Sequence, residues 1–238
     1  FNRNDSTSFE YGYLNPIIFY RAIEQQFGSS DNVILGMDFK WNVAKGVSAY
    51  GQFVLDEFVL DRVKEGKGWW ANKYGIQAGL KYFDAFGVSN LDLQGETNIV
   101  RPYTYSHGTP NGSYSSYLQP IAHPLGANFR EFIGIARYQP IPRLNLTGKL
   151  IYAKVGRDTT GVNWGGDIIK KNTTREKDFG NSIAQGVNND LLIGTFTASW
   201  MVGHNIFIDA SVVIRKSESP VARFNTNSTI TSLALRWN

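Results

Sequence analysis

From residue 33 onward the chain alternates apolar and polar positions with a period of two. In 33–43, Val33, Leu35, Met37, Phe39, Trp41 and Val43 stand against Ile34, Gly36, Asp38, Lys40 and Asn42. Successive side chains of a strand point to opposite faces, so the pattern predicts a strand with one apolar face and one bearing acid, base and amide. In 91–99, Leu91, Leu93, Gly95, Thr97 and Ile99 alternate with Asp92, Gln94, Glu96 and Asn98. The same reading predicts strands over 47–55, 74–82, 132–138, 144–152, 191–200, 206–215 and 229–237, with a weaker tenth over 17–26. No segment carries a helical period.

The connections sort into two kinds. Residues 44–46, 84–90, 139–143 and 202–205 are short, whereas 27–32, 56–73, 100–128, 155–190 and 216–228 are longer, and the two kinds alternate along the chain. Outer-membrane barrels have short periplasmic turns and longer outside loops. The expected fold is therefore all-β, a transmembrane antiparallel up-and-down β-barrel over residues 1–238, located in the cell outer membrane. This orientation requires strands running toward the short turns to end, on their lipid face, in an interfacial aromatic. Their last outward residues are Trp41, Tyr82, Tyr138, Trp200 and Trp237.

Composition bears on this reading in three ways. The mean hydropathy is slightly negative and no apolar run reaches the roughly 18 residues of a membrane helix, but a membrane strand needs only about 9–11 residues, half of them apolar. There are no cysteines, which removes disulfides and thiolate metal sites. The net charge of +4 comes from scattered residues, unlike the clustered basic face of a nucleic-acid binder. At the inward positions, Asp38, Asp92, Glu96, Glu131 and Asp209 face Lys40, Lys81, Arg137, Lys149 and Arg215. Such a balance predicts cross-strand ion pairs that fill a narrow interior, whereas a selective pore favours one sign.

Little of the sequence suits catalysis. No nucleophile elbow, phosphate loop or dinucleotide fingerprint occurs. Of the histidines, His204 lies in the Gly203-His204-Asn205 turn and reads as a solvated turn residue, while His107 and His123 share one long loop without a carboxylate at metal-ligand spacing, so neither a metal nor a cofactor is expected. Asp56, Glu57 and Asp61 could serve a rim hydrolase, but they are interleaved with Arg62, Lys64 and Lys67, the composition of a solvated loop. The segment 100–128 is richer in binding chemistry: Arg101, Tyr103, Tyr105, His107, His123 and Asn128 sit among Pro102, Pro110, Pro120 and Pro124, which stiffen it. Tyrosine rings stack on the apolar face of a pyranose while amides and a guanidinium bond its hydroxyls, and Trp69, Trp70, Asn163 and Trp164 add similar material. The alternative is that these tyrosine-rich loops fold inward and plug the interior.

Several blocks together resemble a known family. Residues 14–21 (Leu-Asn-Pro-Ile-Ile-Phe-Tyr-Arg), 28–32, Arg101 to Tyr105, His123 to Asn128 and Asn163-Trp164-Gly165 are similar to the Wzi-type capsule-assembly barrels, most closely the branch of RemB-type gliding-motility proteins. The resemblance runs over nearly the whole chain. It implies an outer-membrane barrel of about eighteen strands whose better-known members are lectins attaching capsular polysaccharide. The chain opens at Phe1 with no apolar export segment, so this sequence is expected to be the C-terminal portion of such a barrel. The partners expected are the lipid bilayer and surface polysaccharide, and no nucleic acid. The candidate ligand residues are Arg101, Tyr103, Tyr105, His107, His123, Asn128 and Trp164. The expected function is non-enzymatic capsule assembly or attachment in support of gliding; the alternative is a passive or substrate-specific channel.

Overall fold

The computed structural model describes residues 34–237; the expected strand at 17–26 and the family-like blocks at 14–21 and 28–32 lie outside them. All nine other expected strands form. In chain order they are β1 (Leu35–Ala44), β2 (Val47–Glu57), β3 (Lys73–Tyr82), β4 (Leu91–Val100), β7 (Phe129–Ile141), β8 (Leu144–Arg157), β9 (Val187–Gly203), β10 (Ile206–Glu218) and β11 (Thr226–Trp237). The two-residue strands β5 (Ser115–Ser116) and β6 (Gln119–Pro120) pair only with each other, and a short helix α1 (Leu60–Lys64) interrupts the connection after β2.

The nine strands form one antiparallel sheet in the order β1-β2-β3-β4-β7-β8-β9-β10-β11, each paired with its neighbours along the chain. The sheet is open among the described residues: β1 and β11 each have a single partner. Strands β8, β9 and β10 run further than the alternating segments, to Arg157, from Val187 and to Glu218. In these extensions Gly156 pairs with Asn188 and Val155 with Asn189, so hydropathy no longer alternates. The ladder continues because the backbone N–H and C=O groups still need partners.

One face of the sheet is apolar and, among the described residues, uncovered. Met37, Phe53 and Ile76 stand abreast in register across β1, β2 and β3, and all three are exposed. Further along, Leu150, Phe196, Ile208, Leu233 and Leu235 are exposed on the same face, the last two at 78% and 75%. The short turns gather at one end of the sheet, and Trp41, Tyr82, Tyr138, Trp200 and Trp237 stand at that end on the apolar face, in register with Ala49, Val47, Leu91, Ile208 and Ile206.

The opposite face is polar toward the short turns, where its charges are fixed differently from the expectation. None of the ten inward charges pairs directly with another of the ten among the described residues; the ion pair that does form there joins Asp209 to Arg236 at 2.8 Å. Glu96 stands opposite Gly79 and Ile133 rather than a cation, and Arg137, although in register with Asp92, donates to Gln94 Oε1 at 3.4 Å instead. Neutral donors bridge the gaps: Glu96 accepts from the Tyr50 hydroxyl at 2.5 Å, the Gln77 amide at 3.1 Å and the Asn98 amide at 2.9 Å. The Tyr50 ring reaches Glu96 by lying over Gly79, where a Cβ would come within 2.3 Å of it.

Toward the long loops this face turns apolar and becomes the core. Val100, Phe129, Ala153, Val155 and Leu191 of β4, β7, β8 and β9 pack against Tyr105, Ala127 and Ile168 from the loops. Burying each of the larger side chains stabilises the assembly by roughly 1.5–3 kcal/mol. The core thus lies between the sheet and its loops, and it holds the loops down.

Candidate functional site

The connections 58–72, 101–128 and 158–186 interlock into a cap over one end of the sheet. Residues 58–72 join 158–186 by backbone bonds from Trp70 N–H to Asp178 O, Gly180 N–H to Lys67 O and Asn181 N–H to Gly68 O. The cap then closes on 101–128 through Tyr103 N–H to Gly165 O, Ala127 N–H to Gly166 O and Asn172 N–H to His107 O.

Asn128 is the hub. It is fully buried and adopts a left-handed conformation (φ 61°), which Asn tolerates better than other residues with a Cβ. Its amide nitrogen donates to Gly156 O at 3.1 Å, Gln185 O at 2.9 Å and, more distantly, Trp164 O at 3.4 Å. Its amide oxygen accepts the Gln185 N–H at 3.1 Å. One side chain therefore ties β7, β8 and the 158–186 loop together. Gly156 makes this possible: a Cβ there would lie 2.0 Å from Gln185 O and 2.3 Å from Asn128 Nδ2.

Tyr103 and Tyr105 share the left-handed conformation (φ 66° and 71°) and are buried at 1% and 5% exposure. The Tyr103 hydroxyl donates to Asn163 O at 2.9 Å. Tyr105 joins the core, and its N–H donates to Asp56 Oδ2 at 2.8 Å. Burial pushes both phenols up to about 12, because the phenolate would lose its hydration. Lys73, also fully buried, sits beside Glu57 at 3.2 Å and Asp56 at 3.9 Å and donates to Ser106 O at 2.9 Å. Asp56 and Glu57, read from sequence as candidates for a hydrolase, here brace the 101–106 segment.

The remaining candidates are half-buried in the same cap. Arg101 donates to Trp69 O at 3.3 Å and lies over the Tyr74 ring at 5.6 Å. Around it, Arg62 covers Trp69 at 5.4 Å, Arg175 covers Trp70 at 4.2 Å and Lys177 covers Trp164 at 5.8 Å. The His107 carbonyl takes the Asn172 N–H. His123 stacks on Phe129 at 4.5 Å, accepts the Leu125 N–H at Nδ1 (3.2 Å) and meets Glu131 through Nε2 at 3.1 Å. With Nδ1 accepting, the proton of the neutral ring sits on Nε2 and is donated to Glu131. The Trp164 N–H donates to Asp158 Oδ1 at 2.8 Å.

All seven candidate residues thus belong to one assembly. Three are buried fasteners and four reach its surface in part. Sequence reading named Trp69, Trp70 and Trp164 but missed Glu131 as the partner of His123 and the cations over the indoles, of which Arg175 reaches Trp70 from a distant part of the chain. No group of three or more metal-ligating side chains forms among the described residues. Neither a family model nor a curated protein matches this chain.

Proposed function

We propose that this chain is the wall and outer cap of an outer-membrane β-barrel that holds surface polysaccharide without catalysing a reaction, in support of gliding. The observation that carries the membrane part is the sheet's two-sidedness: an uncovered apolar face ends, at the short-turn end, in Trp41, Tyr82, Tyr138, Trp200 and Trp237. An indole or phenol at that level puts its ring at the acyl boundary and its polar tip among headgroups. A sheet with so large a bare apolar face is stable in lipid and aggregation-prone in water. The resemblance to capsule-assembly barrels supports the glycan part, and so does the cap's mixture of half-exposed Arg101, Trp69, Trp70 and Trp164. The interlocked loops favour a plugged wall over an open channel.

Refolding into vesicles tests the reading at both levels. Lipids brominated near the headgroup should quench the tryptophan emission of a variant retaining only Trp41, Trp200 and Trp237 more strongly than lipids brominated at the chain ends. Equal quenching, or none, refutes the membrane orientation. The same vesicles should retain capsular polysaccharide, and Arg101→Ala should weaken retention; retention indifferent to the whole cap refutes the glycan role.

A further inference from the structure

Beside Asp158, whose carboxylate takes the Trp164 N–H, the cap holds a cleft of about 440 Å³. Its walls come from three separate segments, 118–126, 155–170 and 223–224. Leu125, Ile168, Ile169 and Phe224 make part of it apolar, and Arg157, Asp158, Lys170 and Arg223 make the rest charged. The Val155 and Arg157 side chains stand on the loop-covered face of the sheet, in register with Asn189 and Val187, so the cleft opens on the side of the polar interior and not on the bare apolar face.

The carboxylate of Asp158 is already engaged. Its Oδ1 accepts the Trp164 N–H at 2.8 Å and the Gly166 N–H at 3.4 Å, and its Oδ2 meets Lys170 Nζ at 2.9 Å. Asp167, the other acid of the lining, spends Oδ1 on the Ile169 N–H at 3.0 Å. The guanidiniums are not matched in this way. Arg157 donates through Nε to Asn189 Oδ1 at 3.2 Å, and its two terminal nitrogens have no hydrogen-bond acceptor among the described residues. Arg223 is held by two contacts at the long limit, 3.4 Å to Thr160 Oγ1 and 3.5 Å to Asp158 O. Both cations flank one ring: Arg223 lies 4.7 Å and Arg157 6.0 Å from the centre of Phe224. Arg215 brings further positive charge near Arg157, and the Asp158 carboxylate offsets part of it.

Two guanidinium forks with spare donors, set beside an apolar platform and an excess of positive charge, suit an oxyanion carried on a ring-bearing body. We propose that this cleft binds the carboxylate or phosphate of an acidic, hydroxylated ligand, with Arg157 and Arg223 gripping the anion while Phe224 and Ile169 carry its apolar surface. The proposal gives the glycan reading a charge and a place, and it rests on that reading only for the source of the anion. An acidic sugar and a free phosphate share the recognition chemistry.

The test uses the full chain in detergent or vesicles with three probes: an oligogalacturonate, the same oligosaccharide with its carboxylates methyl-esterified, and inorganic phosphate. The oligogalacturonate should bind, binding should weaken as salt rises, and the esterified form should bind about tenfold more weakly or worse. Arg223→Gln, at an exposed and loosely tied residue, should remove most of that preference without changing thermal stability; Arg157→Gln should do the same where it folds. Phosphate binding that Arg223→Gln abolishes, with no oligogalacturonate binding, upholds the anion site and assigns it to phosphate. Equal binding of charged and esterified sugar, unaltered by Arg223→Gln, overturns the cleft proposal and leaves the glycan reading standing. Binding of none of the three probes overturns the cleft proposal, and retention of capsular polysaccharide then decides the glycan reading by itself.

Discussion

Replacing Asn128 by Ala should open the cap while leaving the sheet in place. The substitution removes donors from Gly156 O and Gln185 O and an acceptor from the Gln185 N–H, all of them buried. Each lost bond costs about 1 kcal/mol, and the orphaned Gln185 N–H adds roughly 1–3 kcal/mol unless water reaches it. Alanine is also less tolerant than asparagine of the φ of 61° held there. Together these give at least about 5 kcal/mol, which is more than a thousandfold in an opening equilibrium. Amide hydrogen exchange on the refolded protein measures this directly: amides of 101–128 and 158–186 should exchange more than about a thousandfold faster, while those of β1, β2 and β3 stay unchanged. A second variant separates the contributions. Asn128→Gly loses the same bonds but relieves the backbone, so it should recover about 1 kcal/mol relative to Ala. Unchanged exchange in the cap of the Ala variant would show that Asn128 is not its hub. A Gly variant no better than Ala would remove the conformational part of the argument.

Two further outcomes follow from the two faces and from the buried phenols. Leu150→Lys, on the bare face near mid-sheet, should destabilise the refolded protein in lipid by about 2–4 kcal/mol, whereas Thr197→Lys on the opposite face should cost under about 1 kcal/mol; equal costs by denaturant titration would mean that lipid does not meet the Leu150 face. Tyr103 and Tyr105 titrate near 10 when unfolded and at about 12 in place, so their stabilising effect is complete below pH 10 and is lost as pH rises from 10 toward 12. At roughly 2–3 kcal/mol each, the loss should appear as cap exchange that accelerates over that interval, and Tyr103→Phe should remove about half of the acceleration; a pH-independent cap would contradict the burial argument.

What could be read from the letters, and what could not, divides along the same physical line. The segment from Leu35 to Val43 announces itself because every second residue meets one uniform apolar surround, and that constraint acts on the strand alone. At Gly156, Asn188, Asn189 and Ser217 both faces are polar or small, so the strands continue there without any periodic signal. The cap is a harder case. The grouping of Arg101, Tyr103, Tyr105 and Asn128 in one stiff loop was legible, but a tyrosine that stacks on a ligand and one that is buried under a neighbouring loop are the same letter. What decides between them is contact across the chain: Tyr103 with Asn163, 60 residues on, and Asn128 with Gln185, 57 residues on. His123 and Glu131, eight residues apart, pair because 119–128 folds back onto the start of β7. The charge pattern misled for a related reason: a balance of acids and bases on one face says nothing about register, and Glu96 finds Tyr50, Gln77 and Asn98 in place of a cation. In a cap built from such contacts, the surface offered to a ligand is whatever the loops leave uncovered once they have satisfied one another. Arg157 and Arg223, 66 residues apart in sequence and both set against the ring of Phe224, are left over in that sense. Recognition in this molecule is therefore to be sought in unspent donors at loop junctions rather than in a motif of any one loop.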